Sequence, residues 1–322
     1  MKLSVLTNLF GNLTLDEALA KFSALGIEAV EIGCGGYPGK AHCDPAVLLS
    51  DEGALADWLA TFKKYGIEIC ALSCHGNPVH PDTKIAKAFH DDFVNAVLLA
   101  QKIGIDTVIT FSGCPGGCKE DKTPNWATCP WPDDFLGVLD YQWNEVLIPY
   151  WTETAAFAKA HGVTKIAFEM HPGFCVYNPE TLLRLRAAVG DIIGANFDPS
   201  HLIWQGIEPV AAIRELQGCI YHFHAKDTKV DKYNTAKYGV LDTKTFTDEI
   251  HRSWIFRSVG YGNGLDFWRE IISNLRLVGY DKVMSIEHED SLMNQDEGLA
   301  HAAKFLKDSI IAEPRPGEMR WF

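Results

Sequence analysis

The chain has 322 residues, 47% of them hydrophobic, and a formal net charge of −13. That length and apolar content allow a large core, in one α/β barrel or in two smaller domains. The acidic balance disfavours nucleic acid and anionic membranes as partners, since both present phosphates, and no run approaches the ~18 apolar residues of a membrane span.

Lys2–Thr7 reads as a first strand. Thr14 and Glu17 form a capping box that opens a helix running to Leu25 and stopping at Gly26. A second strand at Ala29–Gly33 is followed by a helix over Leu55–Tyr65, and a third strand at Glu68–Ser73 runs out at His75. Lys84–Ile103 is helical, and Thr107–Gly113 is the fourth strand. The next loop, Cys114–Pro132, is rich in Pro, Gly, Cys and Trp; it is long for a compact domain and reads as an ordered lid. A helix at Tyr141–His161 leads to a fifth strand, Ile166–Phe168 in the stretch Lys165–Gly173, which delivers Glu169 and then His171 to its C-terminal end. Helix Pro179–Val189, strand Ile192–Phe197, helix Pro209–Leu216 and strand Cys219–Phe223 follow. A second long insertion spans Val230–Gly264; then come helix Leu265–Val278, strand Lys282–Ile286 and helix Glu297–Ile311.

Short apolar strands alternating with helical stretches predict parallel βαβ units, and eight of them predict a single (β/α)8 TIM barrel of the α/β class over residues 1–312. No glycine-rich turn follows the first strand, which argues against a dinucleotide-binding fold. The C-terminal tail, 313–322, reads as packing on the barrel or on a second subunit. The start, MKLSVLTNLFGN, shows no cleavable leader pattern, so a soluble cytoplasmic protein is expected, its nine cysteines mostly reduced thiols.

The chemistry concentrates where the last four strands end. The stretches KIAFEMHPG, ANFDPSH, YHFHAKD and MSIEHED place Glu169, Asp198, His224 and Glu287 at consecutive strand ends. In such a barrel, catalytic groups gather at that face. A charge placed there is costly to bury unless it is paired or metal-bound. Three carboxylates and one imidazole suit Mn²⁺, Mg²⁺ or Co²⁺, and also admit Zn²⁺. His222 shares strand parity with His224, so periodicity does not choose between them; the position nearer the strand end favours His224. Glu289 competes with Glu287 in the same way. His75 lies on the other half of the mouth from these residues, and Arg252 and Arg257 lie in the second insertion.

With FEMHPG, the D-x-x-H of Asp198 to His201, HFHAKD, SIEHED and RSWIFRSVGYG, the chain resembles the sugar phosphate isomerase/epimerase family, with its xylose isomerase-like barrel, from Leu3 to Leu306. Members of that family include ketose 3-epimerases, inosose isomerases and dehydratases, and enzymes of 3-keto-glycosides. The resemblance implies that Glu169, Asp198, His224 and Glu287 bind one divalent metal, usually Mn²⁺. It implies that His201 and Lys226 touch substrate, and that Glu169 and Glu287 exchange protons with it. By their positions at the mouth and in the second insertion, His75, which could orient or protonate a sugar hydroxyl, and Arg257 are further substrate-binding candidates. A metal chelated by a hydroxy-ketone stabilises an enediolate. Two flanking carboxylates then give epimerisation or isomerisation, and a leaving group beta to the acidified carbon gives elimination instead. Gly260–Gly264 reads as a turn into the next helix rather than an anion cradle, so the expected substrate is an unphosphorylated keto-sugar, inosose or 3-keto-glycoside. The alternatives are a lyase (deglycosidase) large subunit working with a small partner subunit, and a non-catalytic sugar-binding subunit, against which the intact ligand set argues. Homo-oligomerisation is expected.

Overall fold

The computed structural model describes residues 1–313. The tail beyond Glu313, and with it the expectation about its packing, lies outside the described residues.

Eight strands close into a parallel barrel: β1 (Lys2–Leu6), β2 (Ala29–Gly33), β3 (Glu68–Ser73), β4 (Thr107–Thr110), β5 (Lys165–Glu169), β6 (Ile193–Phe197), β7 (Ile220–Ala225) and, after a separate pair, β10 (Val283–Ile286). The separate pair, β8 (Asp227–Val230) and β9 (Trp254–Arg257), is antiparallel; β8 makes the second insertion begin at Asp227, earlier than the expected Val230, and β9 lies within it. Side-chain alternation decides which face each strand residue serves. In β5, Ile166 and Phe168 point into the main apolar layer shared with the surrounding helices, while Ala167 meets Ala71 and Ile109 in a small cluster of its own. Burying side chains such as Phe168 contributes about 1.5–3 kcal/mol each, so the strand–helix layer carries most of the hydrophobic stabilisation. The closed barrel is left with room for polar side chains. Register then sets their neighbours: Glu169 lies opposite Asn196, and His224 opposite Ser285.

The capping box forms as expected: Glu17 N–H donates to Thr14 Oγ1 at 3.3 Å, and Thr14 N–H donates to Glu17 Oε2 at 2.9 Å. Other elements differ from the sequence-based expectation. The helix expected at Tyr141–His161 starts at Asp134 and contains a wide turn over Tyr141–Leu147 before Ile148–Ala160. Pro149 has no N–H to continue the ladder, and in the turn before it Ile148 N–H reaches back to Trp143 O. Short helices at Pro45–Ser50 and Pro199–Trp204 escape the periodicity reading, because each is little more than one turn.

The two long connections are ordered by specific bonds. Asn77 brackets the start of the first, donating to Cys114 O at 2.9 Å and accepting from Cys114 N–H at 3.0 Å. Trp126 Nε1 donates to Phe174 O at 3.0 Å. The second connection holds β8, a helix over Lys232–Tyr238 and β9. Within it Arg252 is buried, its guanidinium 4.3 Å from the Phe246 ring and 4.6 Å from that of Trp254. Asp242 accepts from Ser253 N–H at 2.7 Å and Lys244 N–H at 3.0 Å. Gly36, in the left-handed region at φ +60°, rests on the third strand end: a Cβ there would lie 1.8 Å from His75 O. Among the described residues no helix is long and apolar enough to cross a membrane.

Candidate metal centre and active site

Glu169, Asp198, His224 and Glu287 meet at the C-terminal mouth of the barrel, each offering a ligand atom within 4.8 Å of the others. The backbone explains each placement. Glu169 ends β5 and points inward with Ala167. Asp198 follows β6 and caps the short helix behind it, accepting from Ser200 N–H through Oδ1 at 2.7 Å. The ordinary role of an Asp-Pro-Ser turn and a role in the mouth are therefore filled by different oxygens of one carboxylate. His224 Nδ1 lies 3.3 Å from Glu169 Oε2 and 3.1 Å from Glu287 Oε2.

The expected neighbours close around this set. His201 Nε2 lies 2.9 Å from Glu169 Oε1 and 3.3 Å from Asp198 Oδ2. Lys226 Nζ lies 3.1 Å from Asp198 Oδ2, 2.8 Å from Glu287 Oε2 and 3.1 Å from Glu289 Oε2. His75 does not stay on its own half of the mouth: its Nε2 crosses to Glu169 Oε2 at 2.9 Å, and its Nδ1 lies 2.9 Å from Ser73 Oγ. Arg257 is turned to Asp290, with Nε 2.9 Å from Oδ2. His222 points below the mouth, to Glu31.

Electrostatics test whether this set fits a cation. Burial, with Glu169 and Glu287 adding to it, pushes the Asp198 carboxyl up to about 7. Glu287, despite burial, is held down to about 2, chiefly by Lys226 and His224. Three carboxylates at this spacing resist full ionisation. Asp198 Oδ2 and Glu287 Oε2 are buried with no hydrogen bond of good geometry, although Lys226 is near both. Unsatisfied anionic oxygens facing one imidazole nitrogen are what a divalent cation would complete, so the residues fit such an ion.

Two features were not legible in advance. Glu31, in the middle of β2, is fully buried and accepts through Oε2 from His224, His222 and Ser285. Its signal was a lone charge inside the apolar strand AVEIG, which demands a partner somewhere in the fold. The glycine-rich stretch Gly260–Gly264 does wrap an anion, but that anion is the chain's own Asp227. Its Oδ2 accepts from the N–H groups of Gly260, Gly262 and Asn263 at 3.0, 3.2 and 2.9 Å, and from Trp268 Nε1 at 3.1 Å. Its Oδ1 takes Asn263 Nδ2 at 2.7 Å and Thr228 N–H at 2.8 Å. A Cβ on Gly262 would lie 2.5 Å from Asp227 Oδ1.

Residues 19–309 match the model of the xylose isomerase-like TIM barrel. The chain is 39% identical over 312 residues to the uncharacterized protein YfiH of Bacillus subtilis (strain 168), covering 96% of this chain and 99% of that protein. Among solved structures it is similar in fold to an IolI protein with a bound zinc atom (TM-score 0.65, 20% identity, 96% and 98% of the two chains covered). It is likewise similar to a D-tagatose 3-epimerase-like protein (TM-score 0.63, 20% identity, 96% and 98% covered). The convergence of four strand ends on one acidic, histidine-bearing mouth, together with a family match over most of its length, establishes that the chain belongs to the xylose isomerase-like TIM-barrel family.

Proposed function

We propose that the protein is a divalent-metal-dependent isomerase or epimerase of an unphosphorylated keto-sugar, inosose or 3-keto-glycoside, acting by proton abstraction alpha to a carbonyl. The observation that carries this reading is the set Glu169, Asp198, His224 and Glu287, in which two carboxylates stand beside the same imidazole. A divalent cation held there, Mn²⁺ by preference, supplies Lewis-acid polarisation of a carbonyl oxygen. The zinc of the IolI protein and the epimerase-like neighbour support the ion and the reaction class.

The chain's own groups divide the work. Glu169 has both oxygens tied to imidazoles, Oε1 to His201 and Oε2 to His75, so its position is fixed on one side of the mouth. Glu287 approaches from β10 on the other side, beside the Lys226 ammonium. One carboxylate takes the proton from carbon, and the other, ionised at rest, returns one that it has first taken up from solvent. Epimerisation results when the proton comes back to the same carbon on its other face, and isomerisation when it reaches the neighbouring carbon. Lys226 and His201 offer N–H donors to substrate oxygens. The occupied Asp227 cradle and the pairing of Arg257 with Asp290 leave both poorly placed for a phosphate, which supports an unphosphorylated substrate.

A cavity of about 350 Å³ lined by His171, Phe246, Ile255, Phe256, Glu289 and Ser291 favours one second reading. Its apolar side has room for an aglycone, and with a leaving group beta to the acidified carbon the same proton abstraction becomes elimination. Incubating Mn²⁺-loaded protein in D₂O with a panel of ketoses, inososes and 3-keto-glycosides tests both. Deuterium at one carbon identifies substrate and position, and release of free aglycone identifies the lyase. If Glu169→Gln exchanged deuterium as fast as the parent, the assignment of the base would be wrong.

A further inference from the structure

Glu31 lies inside the barrel, one level below the mouth, and no substrate-facing role accounts for it. It sits on β2, with register partners Leu6 on β1 and Ala71 on β3. Its Oε2 is 2.8 Å from His224 Nε2, 3.0 Å from His222 Nε2 and 3.0 Å from Ser285 Oγ. Its Oε1 is buried without a partner. Glu31, His222 and His224 are all at most 2% exposed. A carboxylate in such a place is costly unless donors converge on it. These donors come from β7 and β10, strands distant in sequence from β2.

From this geometry we propose that Glu31 is a positioning residue for the metal centre. By accepting from Nε2 of His224 it keeps a proton on that nitrogen, so that Nδ1, 3.3 Å from Glu169 and 3.1 Å from Glu287, is the nitrogen that would offer its lone pair to an ion. The ring cannot turn over without breaking the bond to Glu31. A carboxylate behind a ligating imidazole also raises its basicity. Asn196 Nδ2, 3.2 Å from Glu169 Oε2 and from the His224 ring nitrogens, occupies the space beside the imidazole and further limits its tilt. Ser285 and His222 hold Glu31 in turn, so the orientation of one mouth residue is set by a chain of contacts reaching down the barrel. The inference rests on the metal-binding reading of Glu169, Asp198, His224 and Glu287.

Equilibrium binding of Mn²⁺, read from the electron paramagnetic resonance of the free ion, tests the proposal without relying on turnover. Circular dichroism and thermal unfolding of the metal-free proteins establish that each variant is folded. Glu31→Gln is expected to weaken Mn²⁺ binding about 10- to 100-fold and to alter the visible d–d spectrum of the Co²⁺-loaded protein. Unchanged affinity and an unchanged Co²⁺ spectrum in folded Glu31→Gln would overturn the proposal, as would two ions bound per chain, which would assign Glu31, His222 and His224 to a second ion. Should Glu31→Gln not fold, Ser285→Ala loosens Glu31 by one donor and is expected to weaken binding about fivefold; no loss there overturns the proposal. Asp198→Asn separates the two readings. If the parent binds Mn²⁺ and Asp198→Asn loses it while Glu31→Gln does not, only the role of Glu31 fails. If the parent binds no divalent ion, the metal reading itself fails and the proposal with it.

Discussion

Two groups of ionisable side chains share His224, one on each side of its ring. In the upper group Nδ1 stands 3.1–3.3 Å from two carboxylates, and two anionic oxygens lack a well-directed hydrogen bond. In the lower group Nε2 and its companions stand 2.8–3.0 Å from a single oxygen of Glu31. The lower spacing is that of N–H and O–H donors on a carboxylate. The upper spacing brings acceptors together with too few protons between them. Charge separates the groups as well: above, Glu169, Asp198 and Glu287 outnumber the nearby cation Lys226, whereas below, one carboxylate faces two imidazoles. A single histidine thus joins a region built around protons to a region that calls for a cation.

The largest expected effect comes from breaking the upper group. Glu287→Gln is expected to lower kcat about 10²–10⁴-fold, while His222→Gln, in the lower group, costs no more than about tenfold. Steady-state kinetics on the substrate found by deuterium exchange checks this, and equal losses would erase the distinction. Next comes Lys226→Met. Removing the ammonium leaves buried carboxylates uncompensated, and the metal-free protein is expected to lose about 3–5 kcal/mol in urea unfolding. Mn²⁺ is expected to restore much of that; a deficit untouched by the ion would count against a cation-seeking upper group.

A pH dependence follows from Asp198. Its carboxyl ordinarily titrates near 3.8 and in the folded metal-free protein near 7. Between those values the folded state retains a proton that the unfolded chain has released, so this group's contribution to stability falls as pH rises from about 4 to 7. Glu287, held down to about 2, has the opposite sign, and its contribution disappears only as pH falls from 4.5 toward 2. The stability of the metal-free parent minus that of Asp198→Asn is therefore expected to decline across pH 4–7, by on the order of 3 kcal/mol. A flat difference would show that neither burial nor the neighbouring carboxylates raise the Asp198 carboxyl. The smallest effect belongs to a control remote from both groups. Thr14→Ala removes a helix cap and is expected to cost about 1 kcal/mol with Mn²⁺ affinity unchanged; a shift in affinity would mean that general loosening, not local chemistry, governs the site.

Much of this was legible in the sequence because the barrel turns linear order into spatial order. A carboxylate or imidazole just past an apolar strand must arrive at the mouth, so Glu169, Asp198, His224 and Glu287 could be placed together from four separate motifs. His75 could be assigned to the mouth but not to Glu169, because reach across a barrel depends on rotamer and tilt. Glu31 was visible as an oddity and no more. Its partner His224 is 193 positions away, and nothing local to either residue names the other. The β8–β9 pair was hidden because its strands are four residues each and its helix seven, too short for periodicity to separate from loop. The wide turn before Pro149 was unreadable for a related reason: proline marks a disturbance in the helix without saying how the neighbouring bonds rearrange.

The carboxylate inside the glycine-rich turn has an effect beyond its own neighbourhood. Asp227 is joined by one peptide bond to Lys226, so the amides that grip it also moor the backbone from which the ammonium rises. The turn thus acts as an anchor point between the outer insertion and the charged tip in the mouth. Because its amide hydrogens already have a permanent occupant, free sulfate or phosphate in solution meets a closed door there.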